Sequence, residues 1–139
     1  MPTVRSCRPG DVPAVLGLWA LARSEHATTS DRAEDIERLI AETPSVLLVA
    51  ENDAGEIVGA LIAGWDGWRG NMYRLAVHPD HRRRRVARRL LDAGEEHLRG
   101  VGARRVTALV AHDDDDAGAF WDSAGYPVDP AIGRRVRNL

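Results

Sequence analysis

The chain has 139 residues, of which 19 are cationic and 21 anionic, so its formal net charge is −2. A chain of this length forms one domain with a sizeable core, and a second independent domain is excluded. The hydrophobic fraction of 44% excludes a disordered chain, and the small net charge argues against a protein that is basic throughout, as nucleic-acid binders often are. The single cysteine, Cys7, excludes an internal disulfide and suits a reducing compartment. With no run of about 18 apolar residues, we expect a cytoplasmic protein without a membrane partner.

The first third of the sequence predicts one strand followed by two helices. Residues 3–7 alternate weakly and predict the strand, in which Cys7 is expected to be a buried thiol. Asp11 is a candidate N-cap for a helix whose apolar residues recur at helical spacing as far as Trp19. Residues 24–30 are polar and predict a loop, after which a second helix ends before Pro44.

The middle of the sequence predicts a β-hairpin. An apolar run at 45–51 and a strand at 57–65 flank the turn sequence Asn52-Asp53-Ala54-Gly55. The further predicted elements are a strand at 68–77, a helix at 84–99, a strand at 106–110, a helix at 114–124 and final strands at 126–128 and 134–137. This order, β-α-α-β-β-β-α-β-α-β(-β), indicates an α/β domain with a mixed sheet.

Six arginines fall at the predicted start of the helix at 84–99, between Arg82 and Arg89. A strand, a short connection and a helix N-terminus form a ready anion site, because exposed N–H groups and the positive helix end attract phosphate. Arginine at a helix start opposes the helix dipole, so the cluster is better explained by a bound anion than by a solvated face. The residues alone leave a nucleotide, a nucleic acid and a phosphorylated cofactor open.

Two segments resemble the GNAT superfamily of acyl-CoA-dependent N-acetyltransferases. The run LAVHPDHRRRRVARRLLDAGEEHLRGVGARRVTALV, Leu75 to Val110, is similar to the family's cofactor-binding core, with Arg82 first and Ala87 last in the motif Gln/Arg-x-x-Gly-x-Gly/Ala. FWDSAGY, Phe120 to Tyr126, resembles the terminal FYxxxGF signature. The resemblance implies one domain over residues 1–139, with a mixed sheet of six to seven strands, four flanking helices and a splay between the fourth and fifth strands.

The family pattern also implies the residues that bind acetyl-CoA. The backbone of Leu75, Ala76 and Val77 would bond the pantetheine arm, and a strand amide, Val77, would hold the oxyanion. Asp114 and Phe120 fall where the family contacts the cofactor arm. The amides that would cradle the pyrophosphate, with Arg82 leading the motif, belong to Arg82, Arg83, Arg84, Arg85, Val86, Ala87 and Arg88.

Three positions depart from the family pattern. The glycine expected at the fourth motif position is Arg85, whose Cβ must point away from the phosphate or push it out. The tyrosine that often serves as general acid is Trp121, whose indole N–H donates a hydrogen bond but does not deliver a proton. The glutamate base of the family's protein N-terminal acetyltransferases would fall at Leu109.

The acid, the base and the acceptor site therefore need other candidates. His112 is a candidate base, against a surface-loop interpretation, and Tyr73 and Tyr126 are candidate proton donors, against a packing role. In the polar loop, Glu25 and His26 are candidates for binding a cationic substrate. The spacing of His78 and His81 alone is too weak to predict a metal, and none is expected.

Three functions from different classes follow. The first is transfer of an acetyl group from acetyl-CoA to a primary amine of a small molecule or peptide, through a tetrahedral intermediate. The second is acyl-CoA binding with weak or no catalysis, suggested by Trp121 and Arg85. The third, least favoured, is a nucleic-acid or anion-binding module built on the arginines. Dimers are frequent in the resembled family, so a homodimer is expected.

Overall fold

The computed structural model describes residues 2–22, 30–42, 44–82 and 85–139, and contacts divide the chain into two compact units, 1–109 and 110–139. The first unit contains one five-stranded sheet in the order β1 (Thr3–Ser6), β2 (Val46–Glu51), β3 (Ile57–Trp65), β4 (Gly70–Val77) and β5 (Val106–Ala108). Its helices are α1 (Val12–Leu21), α2 (Ala33–Ala41) and α3 (Val86–Gly100). The second unit contains α4 (Asp115–Ser123). A mixed α/β fold with four helices is confirmed.

The predicted hairpin is confirmed as the antiparallel pair β2–β3. The Asn52 side chain closes its turn by accepting hydrogen bonds from the amides of Ala54 (3.1 Å) and Glu56 (2.9 Å). The Asn-to-Gly turn signal therefore acts through a side chain that substitutes for a backbone partner, as short turns of this kind do.

Helices cover both faces of the sheet. On one face, α1 and α2 bury side chains such as Val15 and Ile36 in a cluster with Val49 of β2. On the other face, α3 packs closely at Gly94, where an added Cβ would lie 2.8 Å from the Met72 Cε atom of β4. The apolar side chains of these helices are thus used for burial, which supplies most helix stability in proteins.

The sheet has fewer strands than expected. The described residues contain five, against the predicted six to seven, because segments 126–128 and 134–137 form no strands there. Pro127 offers no N–H to a ladder, and Val128 and Val136 are exposed, so the weak alternation of these segments buries no face.

Asp11 lies at the N-cap position of α1 as predicted, but its side chain makes no capping bond to that helix. Its carboxylate accepts the Arg8 amide (2.8 Å) and two bonds from the Arg5 guanidinium, whose Nε also bonds Glu51 at 2.7 Å. Asp11 therefore joins the connection before α1 to the edge of the sheet. The predicted burial of Cys7 is confirmed, and burial raises the pKa of its thiol to about 11.

No helix in the described ranges is long and apolar enough to cross a membrane.

Candidate active site

Strand β4 has an open edge over the second half of its length. Pairing with β5 is parallel and covers Gly70, Asn71 and Met72 alone among the described residues. From Tyr73 to Val77 the strand pairs on its β3 side only. The predicted separation of the fourth and fifth strands is confirmed, and it leaves a stretch of β4 with an edge that can accept another extended chain.

The amides that face this open edge follow from the pairing with β3. The His78 N–H donates to the Val58 carbonyl at 2.8 Å, so His78 directs its backbone towards β3. Successive residues of a strand direct their N–H groups to alternate sides. The N–H groups of Leu75 and Val77 therefore point to the open edge, and that of Ala76 points to β3.

A β-bulge lies immediately before these amides. Ile62 of β3 pairs with Tyr73, and Ala60 pairs with Ala76. One residue of β3 therefore lies opposite two residues of β4, so β4 contains one extra residue. Arg74 lies in this bulge, and its φ of 55° is in the left-handed region that non-glycine residues rarely adopt.

Three side chains meet at the bulge. The Trp19 indole N–H donates to the Arg74 carbonyl at 3.1 Å, and the Arg74 guanidinium lies 5.9 Å from the centre of the same indole ring. The guanidinium also pairs with the Asp31 carboxylate, with 2.7 Å between nitrogen and oxygen. Trp19 is buried, and the Arg74 and Asp31 side chains are only 25% and 14% exposed.

Arg85, the residue before the first residue of α3, has a strained backbone conformation. This residue is the N-cap, its φ is 60° and its ψ is 17°, which is the left-handed region again. It occupies the position where the resembled motif has glycine, so the backbone keeps the glycine conformation although the side chain has changed. The first helical bond runs from the Arg89 N–H to the Arg85 carbonyl (3.0 Å), which leaves the amides of Val86, Ala87 and Arg88 without partners inside the helix.

Gly59 holds the start of α3 close to the end of β4. It pairs with Val77 across the β3–β4 ladder. A Cβ on Gly59 would lie 2.9 Å from Val86 Cγ1 and 3.0 Å from Leu90 Cδ1. The missing side chain therefore lets the first turn of α3 lie directly over the strand pair, beside the open edge. No pattern in the sequence marks Gly59 for this role, since its significance lies in a contact between distant segments.

The arginines of the cluster differ in their availability. Arg82 and Arg85 are exposed. Arg88 pairs with Asp92 one turn along the helix (3.3 Å), and Arg89 donates to the Pro2 carbonyl (2.5 Å). Arg83 and Arg84, like the predicted substrate residues Glu25 and His26, lie outside the described residues.

Tyr73 lies on β4 directly before the bulge, with 39% of its surface exposed. Its hydroxyl occupies the space over Gly64 that a side chain there would fill. Burial, with a further contribution from the Asp66 carboxylate, raises the pKa of the Tyr73 phenol. The phenol therefore keeps its proton at neutral pH.

The second unit contains the remaining predicted site residues. The Asp114 carboxylate accepts the Ala117 amide at 3.0 Å and so caps the N-terminus of α4. Trp121 is buried, and its ring meets those of Phe120 and Tyr126 edge to face, with centroids 5.5 and 5.0 Å away. Trp121 is thus a packing residue of this unit, and His112 is exposed.

Among the described residues, no three His, Cys, Asp or Glu side chains are grouped closely enough to hold a metal ion. The two histidines of the connection before α3 have other contacts. His78 Nδ1 accepts the Asp80 amide at 3.1 Å, and the rings of His78 and His81 meet edge to face at 5.6 Å.

Comparisons with known proteins agree with this geometry. The model of the acetyltransferase (GNAT) family matches residues 13–126, a range that spans most of the first unit and part of the second. An acetyltransferase from Pectobacterium atrosepticum is 36% identical over 135 residues, covering 96% of this chain and 94% of that protein.

Two solved structures share the fold. The aminoglycoside antibiotic 6′-N-acetyltransferase AAC(6′)-Ih from Acinetobacter baumannii has a TM-score of 0.81 at 16% identity, with 100% of this chain and 99% of that chain covered. AAC(6′)-Iy, solved in complex with a bisubstrate analogue, CoA-S-monomethyl-acetylneamine, has a TM-score of 0.79 at 18% identity, with 99% of each chain covered.

The chain belongs to the GNAT family of acetyltransferases, as the family match and the curated relative show. It is accordingly an enzyme of the acyltransferase class.

Proposed function

We propose that this protein transfers the acetyl group of acetyl-CoA to a primary amine of a small molecule or peptide. The observation that carries the proposal is the open edge of β4 at Leu75–Val77, which ends beside the N-terminus of α3. Acetyl-CoA has two parts that match these two elements. Its pantetheine arm carries amides that can bond an extended strand, and its pyrophosphate carries negative charge that suits a helix N-terminus. The chemistry of the described residues therefore fits this substrate.

The two parts of acetyl-CoA would be bound by different elements. The backbone of Leu75, Ala76 and Val77 would bind the pantetheine arm as an additional strand. The amides at the start of α3 would bind the pyrophosphate, where the helix dipole favours negative charge and where Arg82 and Arg85 add cations. The proposed set is completed by Arg83, Arg84, Val86, Ala87 and Arg88, and by Asp114 and Phe120 from their motif positions.

The transfer needs an oxyanion donor and two proton transfers. The neutral amine attacks the thioester carbonyl carbon, and the Val77 N–H at the open edge would donate to the oxyanion. As the intermediate collapses, the C–S bond breaks and the thiolate takes a proton, for which Tyr73 is the candidate donor because its phenol stays protonated. Tyr126 is the second candidate. The proton lost by the amine goes to a base, for which His112 is the candidate.

The acceptor is proposed here as a chemical class of amine. One comparison structure is an aminoglycoside antibiotic N-acetyltransferase, and the other was solved with an acetylneamine bisubstrate analogue. We propose a cationic amine acceptor, with Glu25 and His26 as candidate binding residues. Its test is a panel of aminoglycosides, polyamines, amino acids and peptides, with thiol release measured for each.

Binding and catalysis are tested separately. Calorimetric titration with acetyl-CoA should show one saturable site, and the absence of binding up to millimolar concentration would refute the proposal. With an acceptor in hand, Tyr73→Phe should lower kcat by roughly 10²-fold or more, the usual contribution of a positioned acid. Tyr126→Phe is its matched control, and an equal loss in both variants would contradict the assignment to Tyr73.

A second function is favoured by two observations. Trp121 is buried at the motif position where the family often has the tyrosine that acts as general acid, and Leu109 falls where some members have a glutamate base. Acyl-CoA binding with weak or no transfer would follow from the loss of both groups. Saturable acetyl-CoA binding without thiol release above background, across the whole amine panel, is the result that would favour it.

The organisation of the protein is proposed from the same resemblance. We infer a single domain over 1–139, a homodimer and a cytoplasmic location. Light scattering coupled to size-exclusion chromatography would give the mass, and a monomer at micromolar concentration would contradict the dimer.

A further inference from the structure

The bulge at Arg74 decides which backbone groups of β4 reach the open edge. Because β4 contains one extra residue there, every residue beyond Arg74 is shifted by one position relative to β3. Without the bulge, Leu75 and not Ala76 would pair with Ala60, and the N–H groups of Leu75 and Val77 would point into the ladder. A one-residue slip in a strand exchanges its two sides completely.

The bulge conformation is unfavourable in itself. A left-handed φ of 55° strains an arginine, and such conformations persist when the surroundings hold them in place. Trp19 and Asp31 supply two such contacts, one on the backbone and one on the side chain. The indole N–H holds the Arg74 carbonyl out of the ladder, and the Asp31 carboxylate holds the guanidinium beside the indole ring.

The ion pair and the indole hydrogen bond of this cluster are both partly shielded from solvent. The side chains of Arg74 and Asp31 are 25% and 14% exposed, so their ion pair is less screened than the open pairs of α2, in which Asp35 pairs with Arg32 and Arg38. The Trp19 donor is buried, so its bond to the Arg74 carbonyl is sheltered from competition with water.

We propose that Trp19, Arg74 and Asp31 act as positioning residues for acetyl-CoA, by fixing the phase of β4 so that Leu75 and Val77 present their N–H groups to the thioester arm. This inference rests on the proposed function. The three residues lie outside the set proposed above to bind acetyl-CoA or to transfer protons.

The test compares the binding of acetyl-CoA with the binding of its nucleotide half alone. Acetyl-CoA needs both the strand amides and the start of α3, whereas 3′-phospho-ADP, the nucleotide half, needs only the latter. In Asp31→Asn the Kd for acetyl-CoA should rise roughly three- to tenfold, the equivalent of one or two impaired hydrogen bonds. The Kd for 3′-phospho-ADP should not change.

Matched variants separate positioning from general stability. Asp35→Asn removes a carboxylate of the same helix region from an exposed pair and should alter neither Kd. Arg74→Lys keeps the cation beside Asp31 and should retain most of the acetyl-CoA affinity. Trp19→Phe keeps an aromatic ring without the donor and tests the cluster if Asp31→Asn does not fold.

The outcomes are distinct. An unchanged acetyl-CoA Kd in the folded Asp31 and Trp19 variants overturns the inference, and so does an equal rise for both ligands, which would indicate a purely structural role. If the unmodified protein binds 3′-phospho-ADP but not acetyl-CoA, or neither ligand, the proposed function fails and the inference fails with it.

Discussion

Replacing Arg85 by glycine should stabilise the protein, because it removes a side chain from a residue in the left-handed region. Arg85 has a φ of 60°, and a side chain in the left-handed region costs roughly 1–2 kcal/mol. Glycine removes that cost but loses roughly 0.5–1 kcal/mol through the greater freedom of the unfolded chain. The expected net gain is about 0.5–1 kcal/mol. For a chain of 139 residues the entropy of unfolding is about 0.3 kcal/mol/K, so Tm should rise by about 2–3 °C.

Arg85→Ala is the matched control, because it removes the same charge but keeps the Cβ. Thermal unfolding followed by circular dichroism should place the glycine variant above the alanine variant. Calorimetry with acetyl-CoA should rank the two in the same order, since glycine permits a closer approach of backbone to phosphate. A glycine variant no more stable than the alanine variant would refute the inference that this position is strained.

Three further predictions concern the first unit. Gly59→Ala should lower the free energy of unfolding by about 1–3 kcal/mol, because the added methyl overpacks against the stiff valine of α3. Gly17→Ala, in an open position of α1, should raise it by about 0.5–1 kcal/mol. Urea unfolding measures both, and equal effects would contradict the close contact. The Arg5 guanidinium lowers the pKa of Asp11 below its ordinary 3.8, so the unfolded chain binds this proton more readily and the stabilisation is lost as pH falls from about 4 through the lowered value. Asp11→Asn should therefore destabilise the protein at pH 7 and much less at pH 2, and a pH-independent difference would oppose this. The Cys7 thiol, buried and with a pKa of about 11, should react with a disulfide reagent at pH 8 far more slowly in the native protein than in urea, and equal rates would show that it is accessible.

The fold was predictable where local signals and burial agree. The hairpin at 45–65 has a turn with a side-chain acceptor at Asn52 and apolar runs on both sides, so local and tertiary preferences favour the same structure. The expected strands at 126–128 and 134–137 had alternation alone. In that segment Pro127 removes a donor and the apolar side chains remain exposed, so nothing compensates for ordering the chain.

The candidate site was predictable in its motifs but not in its geometry. Arginines at a helix start and a family-like strand before it indicated an anion site. The bulge at Arg74 carries no such signal, because an arginine with positive φ is an improbable local choice made favourable by Trp19 and Asp31, which are distant in sequence. The same reasoning applies to Gly59, whose role depends on a valine 27 positions further along the chain.

The contrast between Trp19 and Trp68 gives the protein two separable optical probes. Trp68 is 85% exposed at the turn between β3 and β4, whereas Trp19 is 4% exposed and touches the bulge. Acrylamide should therefore quench the emission of Trp68 first and leave that of Trp19 largely intact. With Trp65, Trp68 and Trp121 all replaced by Phe, a shift of the remaining Trp19 emission on addition of acetyl-CoA would report on the strand that the bulge controls, without any label or any knowledge of the acceptor amine.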